Sequence, residues 1–154
     1  MGIYVVTGSA SGMGRAVAEK LAAQGHTVIG VDIKDADVVA DLSTPEGRRM
    51  AIAAVKERSG DHLDGAVMAA GLGPTPGKEQ LRLIAEVNYL GVVELLKGWR
   101  TSLAAAHSAK VVVFSSNSTT ATPAVPSRTI NAFLDGDIDK VLKSIRIFGK
   151  QGAP

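Results

Sequence analysis

The chain has 154 residues, of which 45% are apolar and 4% aromatic, with no cysteine and a formal net charge of +2. That length and apolar share suffice for one domain with its own core. The lack of cysteine excludes a disulfide framework and thiolate zinc sites, and no apolar run approaches the ~20 residues that cross a bilayer. The small charge is spread over mixed-sign stretches with few aromatics, so neither nucleic acid nor a membrane is expected as a partner. The N-terminus enters a β-branched run without the pattern of a secretory leader, so a cytoplasmic location is expected.

Ile3–Thr7 reads as a strand that feeds a glycine-rich turn, and a helix follows over Gly12–Gln24. Met13, Val17 and Leu21 recur at i+4 to pack on a sheet, Arg15, Glu19 and Lys20 face away, and Gly25 stops the helix. Thr27–Asp32 is a second strand. Ser43-Thr44-Pro45-Glu46 opens a helix over Pro45–Ser59: a hydroxyl caps the free amides, Pro suits the first turn, and Glu46 completes a capping box with Ser43. Asp64–Ala70 is a third strand. This alternation predicts an α/β fold, a doubly wound parallel sheet of Rossmann type with helices on both faces.

The run from Gly71 to Gly77 is too rich in Gly and Pro to be other than a loop. Helical periodicity resumes near Lys78 and runs through Asn88 to His107, with Val92, Leu95, Trp99 and Leu103 on one face. Ala109–Ser116 reads as another buried strand. From Asn117 the character changes to a Thr/Pro/Ser stretch, a helix over Arg128–Leu134 and another over Asp137–Ile147. The last has an apolar stripe of Ile138, Val141, Leu142 and Ile145, opposite a solvated basic face of Lys140, Lys143 and Arg146. Residues 1–116 are thus expected to form a nucleotide-binding portion and 117–154 a mostly helical insertion. His26, His62 and His107 lack ligand spacing and are expected on the surface, with no metal site.

Glycines between a strand and a helix let the backbone approach a pyrophosphate, whose charge meets the amides at the helix N-terminus. Gly8, Gly12 and Gly14 are so placed, and Asp32 ends the second strand, where a carboxylate accepts hydrogen bonds from ribose hydroxyls. The same carboxylate repels a 2′-phosphate. Ser11 rather than a basic residue precedes Gly12, which also favours NAD over NADP, while Lys34 brings one cation to the same region.

The spacing Thr-Gly-x-x-x-Gly-x-Gly over Thr7–Gly14 resembles that of the short-chain dehydrogenase/reductase family. Asp41-Leu42 matches the family's Asp-Val/Leu pair, whose carboxylate contacts the adenine amino group in relatives. Ala69-Ala70-Gly71 stands where the family has Asn-Ala-Gly, keeping the small residues without the asparagine. Asn88 looks like the helix asparagine that helps hold a proton-relay water. Ser116 looks like the catalytic serine that polarises a substrate carbonyl, with Ser115 beside it. The resemblance implies cofactor contacts at Gly8, Ser11, Gly12, Met13, Gly14, Asp32, Ile33, Asp41, Leu42, Ala70 and Gly71, and catalytic roles for Asn88 and Ser116.

Asp32–Arg48, Ala70–Pro74 and Val87–Tyr89 further resemble the hydroxysteroid dehydrogenase/carbonyl reductase branch of that family. This implies an NAD-dependent oxidoreductase interconverting a secondary alcohol and a ketone, on a hydroxysteroid or other hydrophobic carbonyl compound, in a homo-oligomer. The family's Tyr-x-x-x-Lys pair is not found: Tyr4 and Tyr89 are followed four residues on by Gly8 and Val93. In the family that tyrosine donates the proton and the lysine lowers its pKa. Asn117–Pro154 is therefore expected to be an enlarged serine-to-tyrosine insertion, with the sheet incomplete on its C-terminal side, the natural polypeptide continuing past Pro154, and the 154-residue chain inactive alone. The alternative is a non-catalytic NAD-binding module.

Overall fold

The β-branched runs form one parallel sheet in a computed structural model that describes residues 1–73, 78–116 and 125–148. Its strands are β1 (Ile3–Thr7), β2 (Thr27–Asp32), β3 (Val38–Val39), β4 (Gly65–Met68) and β5 (Lys110–Val113), in the spatial order β3-β2-β1-β4-β5. The helices are α1 (Gly12–Ala23), α2 (Pro45–Ser59), α3 (Lys78–Ala85), α4 (Gly91–Ala104), α5 (Ser127–Leu134) and α6 (Ile138–Phe148), with a π turn at Glu86–Leu90 between α3 and α4.

Val5 lies opposite Ile29 on one side and Ala66 on the other. Alternation then sends Val5, Ile29, Val31, Ala66 and Met68 to one face, where they pack with Ala51 and Val55 of α2 and Leu95 and Trp99 of α4. Helix α1 connects β1 to β2 and packs against both, and the right-handed crossover places it on the opposite face. On α1, Val17, Ala18 and Leu21 are half-buried and Gly14 is buried, whereas Met13 is 61% exposed. Met13 therefore does not belong to the packing stripe the periodicity assigns it. It stands in the first turn, beyond the end of β1.

Helix α2 has the predicted bounds but a different cap. Thr44 is the N-cap, its Oγ1 accepting from the Gly47 N–H at 3.0 Å. Ser43 instead donates to Asp41 Oδ1 through both its N–H (2.9 Å) and its hydroxyl (2.7 Å), and Glu46 pairs with Arg49. The expected Ser43–Glu46 capping box is thus replaced by a threonine cap. The continuous helix expected from Lys78 to His107 is interrupted by the π turn that contains Asn88.

Strand β5 is shorter than expected and is not buried: Val111, Val112 and Val113 are 46%, 50% and 47% exposed. It is the last strand of the sheet, and among the described residues β4 is its sole strand neighbour. Helices α5 and α6 pack on each other, and α6 also packs on α3. Ile138 and Val141 are buried, Leu142 is half-buried and Ile145 is 38% exposed. An Arg82–Asp139 ion pair ties α6 to α3. The Pro-rich loop and the Thr/Pro/Ser stretch read from the sequence lie largely at 74–77 and 117–124, outside the described residues.

Two of the three histidines are more engaged than surface residues need be. His26 Nδ1 accepts the Gly2 N–H at 3.1 Å and its ring meets Tyr4 edge-on, and His62 lies 3.3 Å from Asp64. Among the described residues no group of three or more His, Asp or Glu is placed to hold a metal.

Candidate functional site: a cleft at the strand switch

The sheet order reverses between β1 and β4, the place where open α/β sheets bind ligands. There the chain leaves β1 through Gly8, whose φ of +70° favours a residue without Cβ. Its N–H donates to the Val31 carbonyl at 2.8 Å, and an added Cβ would lie 2.8 Å from the Ala70 nitrogen. Thr7, fully buried, accepts the N–H groups of both Ala69 and Ala70 at 3.1 Å. The ends of β1 and β4 are thereby stitched together by one hydroxyl and a glycine contact.

The next two glycines differ in purpose. A Cβ on Gly14 would run into the Gly8 carbonyl and lie 2.6 Å from its carbon, so Gly14 lets α1 rest directly on the turn. Gly12, with φ of +53°, has nothing within 4 Å of its Cβ position and faces open space at the start of α1. The first turn of that helix holds no acidic residue and Ser11 makes no side-chain cap, so its amides and positive dipole end are not neutralised locally.

Asp32 closes the turn from β2. One carboxylate oxygen accepts from the Ala10 N–H at 2.9 Å and the other from the Ile33 N–H at 2.7 Å. Opposite, the Asp41–Ser43 turn is fixed by the Ser43 bonds to Asp41 and by Arg48 of α2. The Arg48 guanidinium, 2% exposed, donates to the Leu42 carbonyl (3.0 Å), to Glu86 (3.0 Å) and to Glu94 (2.7 Å).

These elements surround a cleft of ≈ 630 Å³. Gly8, Ser11, Gly12, Met13, Gly14, Asp32, Ile33, Asp41, Leu42, Ala70 and Gly71 all line it, so every residue the sequence suggested for cofactor contact converges on one space. Leu83 and Val87 line it as well, one helical turn apart, with Gln80 and Leu72. Their i, i+4 spacing was the available signal, but the same spacing fits a helix packed on the sheet.

Asn88 and Ser116 do not line that cleft. Asn88 clamps the backbone of Leu72, accepting its N–H at 2.8 Å and donating to its carbonyl at 3.0 Å. It also borders a smaller, apolar cavity of ≈ 310 Å³ with Ile84, Tyr89, Ile130 and Phe133. Ser116 is exposed, three residues past the end of β5.

A family model described as short chain dehydrogenase matches residues 2–127. The chain belongs to the short chain dehydrogenase family. It is 44% identical over 116 residues to 3-alpha-hydroxysteroid dehydrogenase/carbonyl reductase of Comamonas testosteroni, a match covering 75% of this chain and 44% of that relative. It is 45% identical over 94 residues to coniferyl-alcohol dehydrogenase of a Pseudomonas species, covering 57% of this chain and 34% of the relative. Among solved structures, 3-alpha-hydroxysteroid dehydrogenase from Pseudomonas sp. B-0831, complexed with NADH, superposes with a TM-score of 0.86 at 41% identity, over 97% of this chain and 57% of that one. The chain spans under half the length of these two curated relatives.

Short chain dehydrogenases use nicotinamide cofactors. The residues of this member fit such a group: the cleft is open where Gly12 lacks a Cβ, and the free amides of α1 begin at the same point.

Proposed function

We propose that this chain carries the nucleotide-binding part of an NAD-dependent oxidoreductase that interconverts a secondary alcohol and a ketone. The observation that carries the proposal is the pairing, in one cleft, of the open Gly12 cradle with the Asp32 carboxylate at the end of β2. In this reading Gly8, Ser11, Gly12, Met13 and Gly14 receive the pyrophosphate, Asp32 and Ile33 the adenosine ribose, and Asp41, Leu42, Ala70 and Gly71 the adenine side. Asp32 is held by two backbone amides, and its negative charge disfavours a 2′-phosphate. A nicotinamide held by these residues would supply the hydride chemistry at the substrate carbon. Ser116 would donate a hydrogen bond to the substrate oxygen. Asn88 would fix the local backbone, as its grip on Leu72 supports.

A hydroxysteroid or another hydrophobic carbonyl compound is the substrate class favoured by the relatives' names. Residues 1–116 would form the nucleotide-binding portion and 117–154 an insertion, within a cytoplasmic homo-oligomer; no helix among the described residues is long and apolar enough to cross a membrane. The second reading, a non-catalytic NAD-binding module, is favoured by one observation, the lack of a Tyr-x-x-x-Lys pair in this chain. Calorimetric titration with NADH and NADPH tests the shared premise. Tighter binding of NADH is expected, and equal affinity for the two would overturn the role given to Asp32.

A further inference from the structure

We infer that Arg48 is a positioning residue for the adenine end of the cleft, holding its two walls at a fixed separation. The inference rests on the nucleotide-binding reading above. One wall is the Asp41–Ser43 turn, whose Leu42 carbonyl accepts from Arg48 Nη1 at 3.0 Å. The other carries Val87, and the adjacent Glu86 accepts from the same nitrogen at 3.0 Å. Nε engages Glu94 of α4 at 2.7 Å, which fixes the plane of the guanidinium. The neighbouring Gly47 has so little space that a Cβ would lie 2.7 Å from the Asp41 carbonyl carbon, so the first turn of α2 bears directly on that wall. Moving α2 therefore moves Asp41.

Stability alone does not call for this arrangement, because a well-packed apolar side chain often replaces a buried ion network at no loss. A guanidinium offers what an apolar residue or a lysine lacks, several donors in one rigid plane that reach a carbonyl and two carboxylates together. Arg48 touches no residue proposed to contact the reacting atoms.

The test compares binding of NADH with that of its hypoxanthine analogue, which lacks the adenine amino group, in the parent protein and in Arg48→Lys and Arg48→Met. The parent is expected to prefer NADH by about five- to tenfold, the value of one hydrogen bond. Both variants should lose this preference, while binding of the analogue changes far less. Asp41→Ala should lose it too, with no further loss when Arg48→Lys is added. Should Arg48→Met fail to fold, the lysine variant, which keeps the charge, decides the matter. A preference absent from the parent, or unchanged in folded Arg48→Lys, overturns the role. A parent that binds neither nucleotide refutes the nucleotide-binding reading itself, and this role with it.

Discussion

Two glycines two residues apart should fail in opposite ways when given a methyl group. At Gly14 the new Cβ would stand 2.6 Å from the Gly8 carbonyl carbon and 3.0 Å from the Thr7 oxygen, where ordinary contact begins near 3.4 Å. Every atom it meets there is backbone, so no side chain can swing aside. Overpacking a close-packed site costs about 1–3 kcal/mol, and a backbone obstacle places Gly14→Ala near the upper figure. For a domain of this length about 3 kcal/mol lowers the melting temperature by roughly 6–12 °C. At Gly12 the Cβ meets nothing within 4 Å, but φ is +53°. The left-handed conformation costs about 1–2 kcal/mol for an alanine, so stability falls by less. The methyl group then stands over the cradle where a pyrophosphate would approach. Thermal melts followed by circular dichroism, paired with NADH titration, should show Gly14→Ala losing more stability and Gly12→Ala losing nucleotide affinity from a protein that stays folded. A Gly14→Ala protein that melts within a degree of the parent, or a Gly12→Ala protein that binds NADH unchanged, would refute this division of roles.

Asp32→Ala removes a charged acceptor and should weaken NADH binding by about 1.5–3 kcal/mol in calorimetry, while narrowing the gap to NADPH. Asn88→Ala frees both polar groups of Leu72, and hydrogen exchange at Leu72 should accelerate while the strands β1 and β4 keep their protection. The Ile3 N–H, and secondarily His62, hold the Asp64 carboxyl below its usual range. A lowered folded-state pKa gives stability that is full above the ordinary value near 4 and lost as pH falls through the folded value. Asp64→Asn should therefore be less stable than the parent in urea at pH 7, with the difference shrinking below about pH 4; a constant difference would exclude the linkage. Finally, the 154-residue chain should show no hydroxysteroid turnover by NADH absorbance, because general acid–base catalysis supplies about 10²–10⁴-fold and no Tyr-x-x-x-Lys pair is present. Robust turnover abolished by Ser116→Ala would demand another proton donor.

The sequence was most legible where local chemistry decides the outcome. β1, β2 and α2 have the expected bounds because β-branched runs, a glycine turn and a proline in the first helical turn act within a few residues. Strand β3, only two residues long, has no periodicity to read. The π turn at Asn88 accompanies a bond to Leu72, sixteen residues away, which helical periodicity does not register. Arg48 looks like one more charge on a surface helix until Glu86 and Glu94, distant in sequence, close around it. Met13 satisfied the helical period but belonged to the cleft mouth, since the helix begins there and the close contact is made by Gly14. Exposure of β5 was hidden for a similar reason: an apolar run reads the same at the centre of a sheet as at its edge.

Because the two amides after β4 converge on the single oxygen of Thr7, the cleft's floor owes its shape to main chain and one hydroxyl. On a separate helical segment the side chains of Gln80, Leu83 and Val87 add part of its rim. Floor and rim can therefore diverge independently. Exchanging a rim residue leaves that foundation intact, whereas Thr7→Val would strand two donors at once and undermine every rim built upon it.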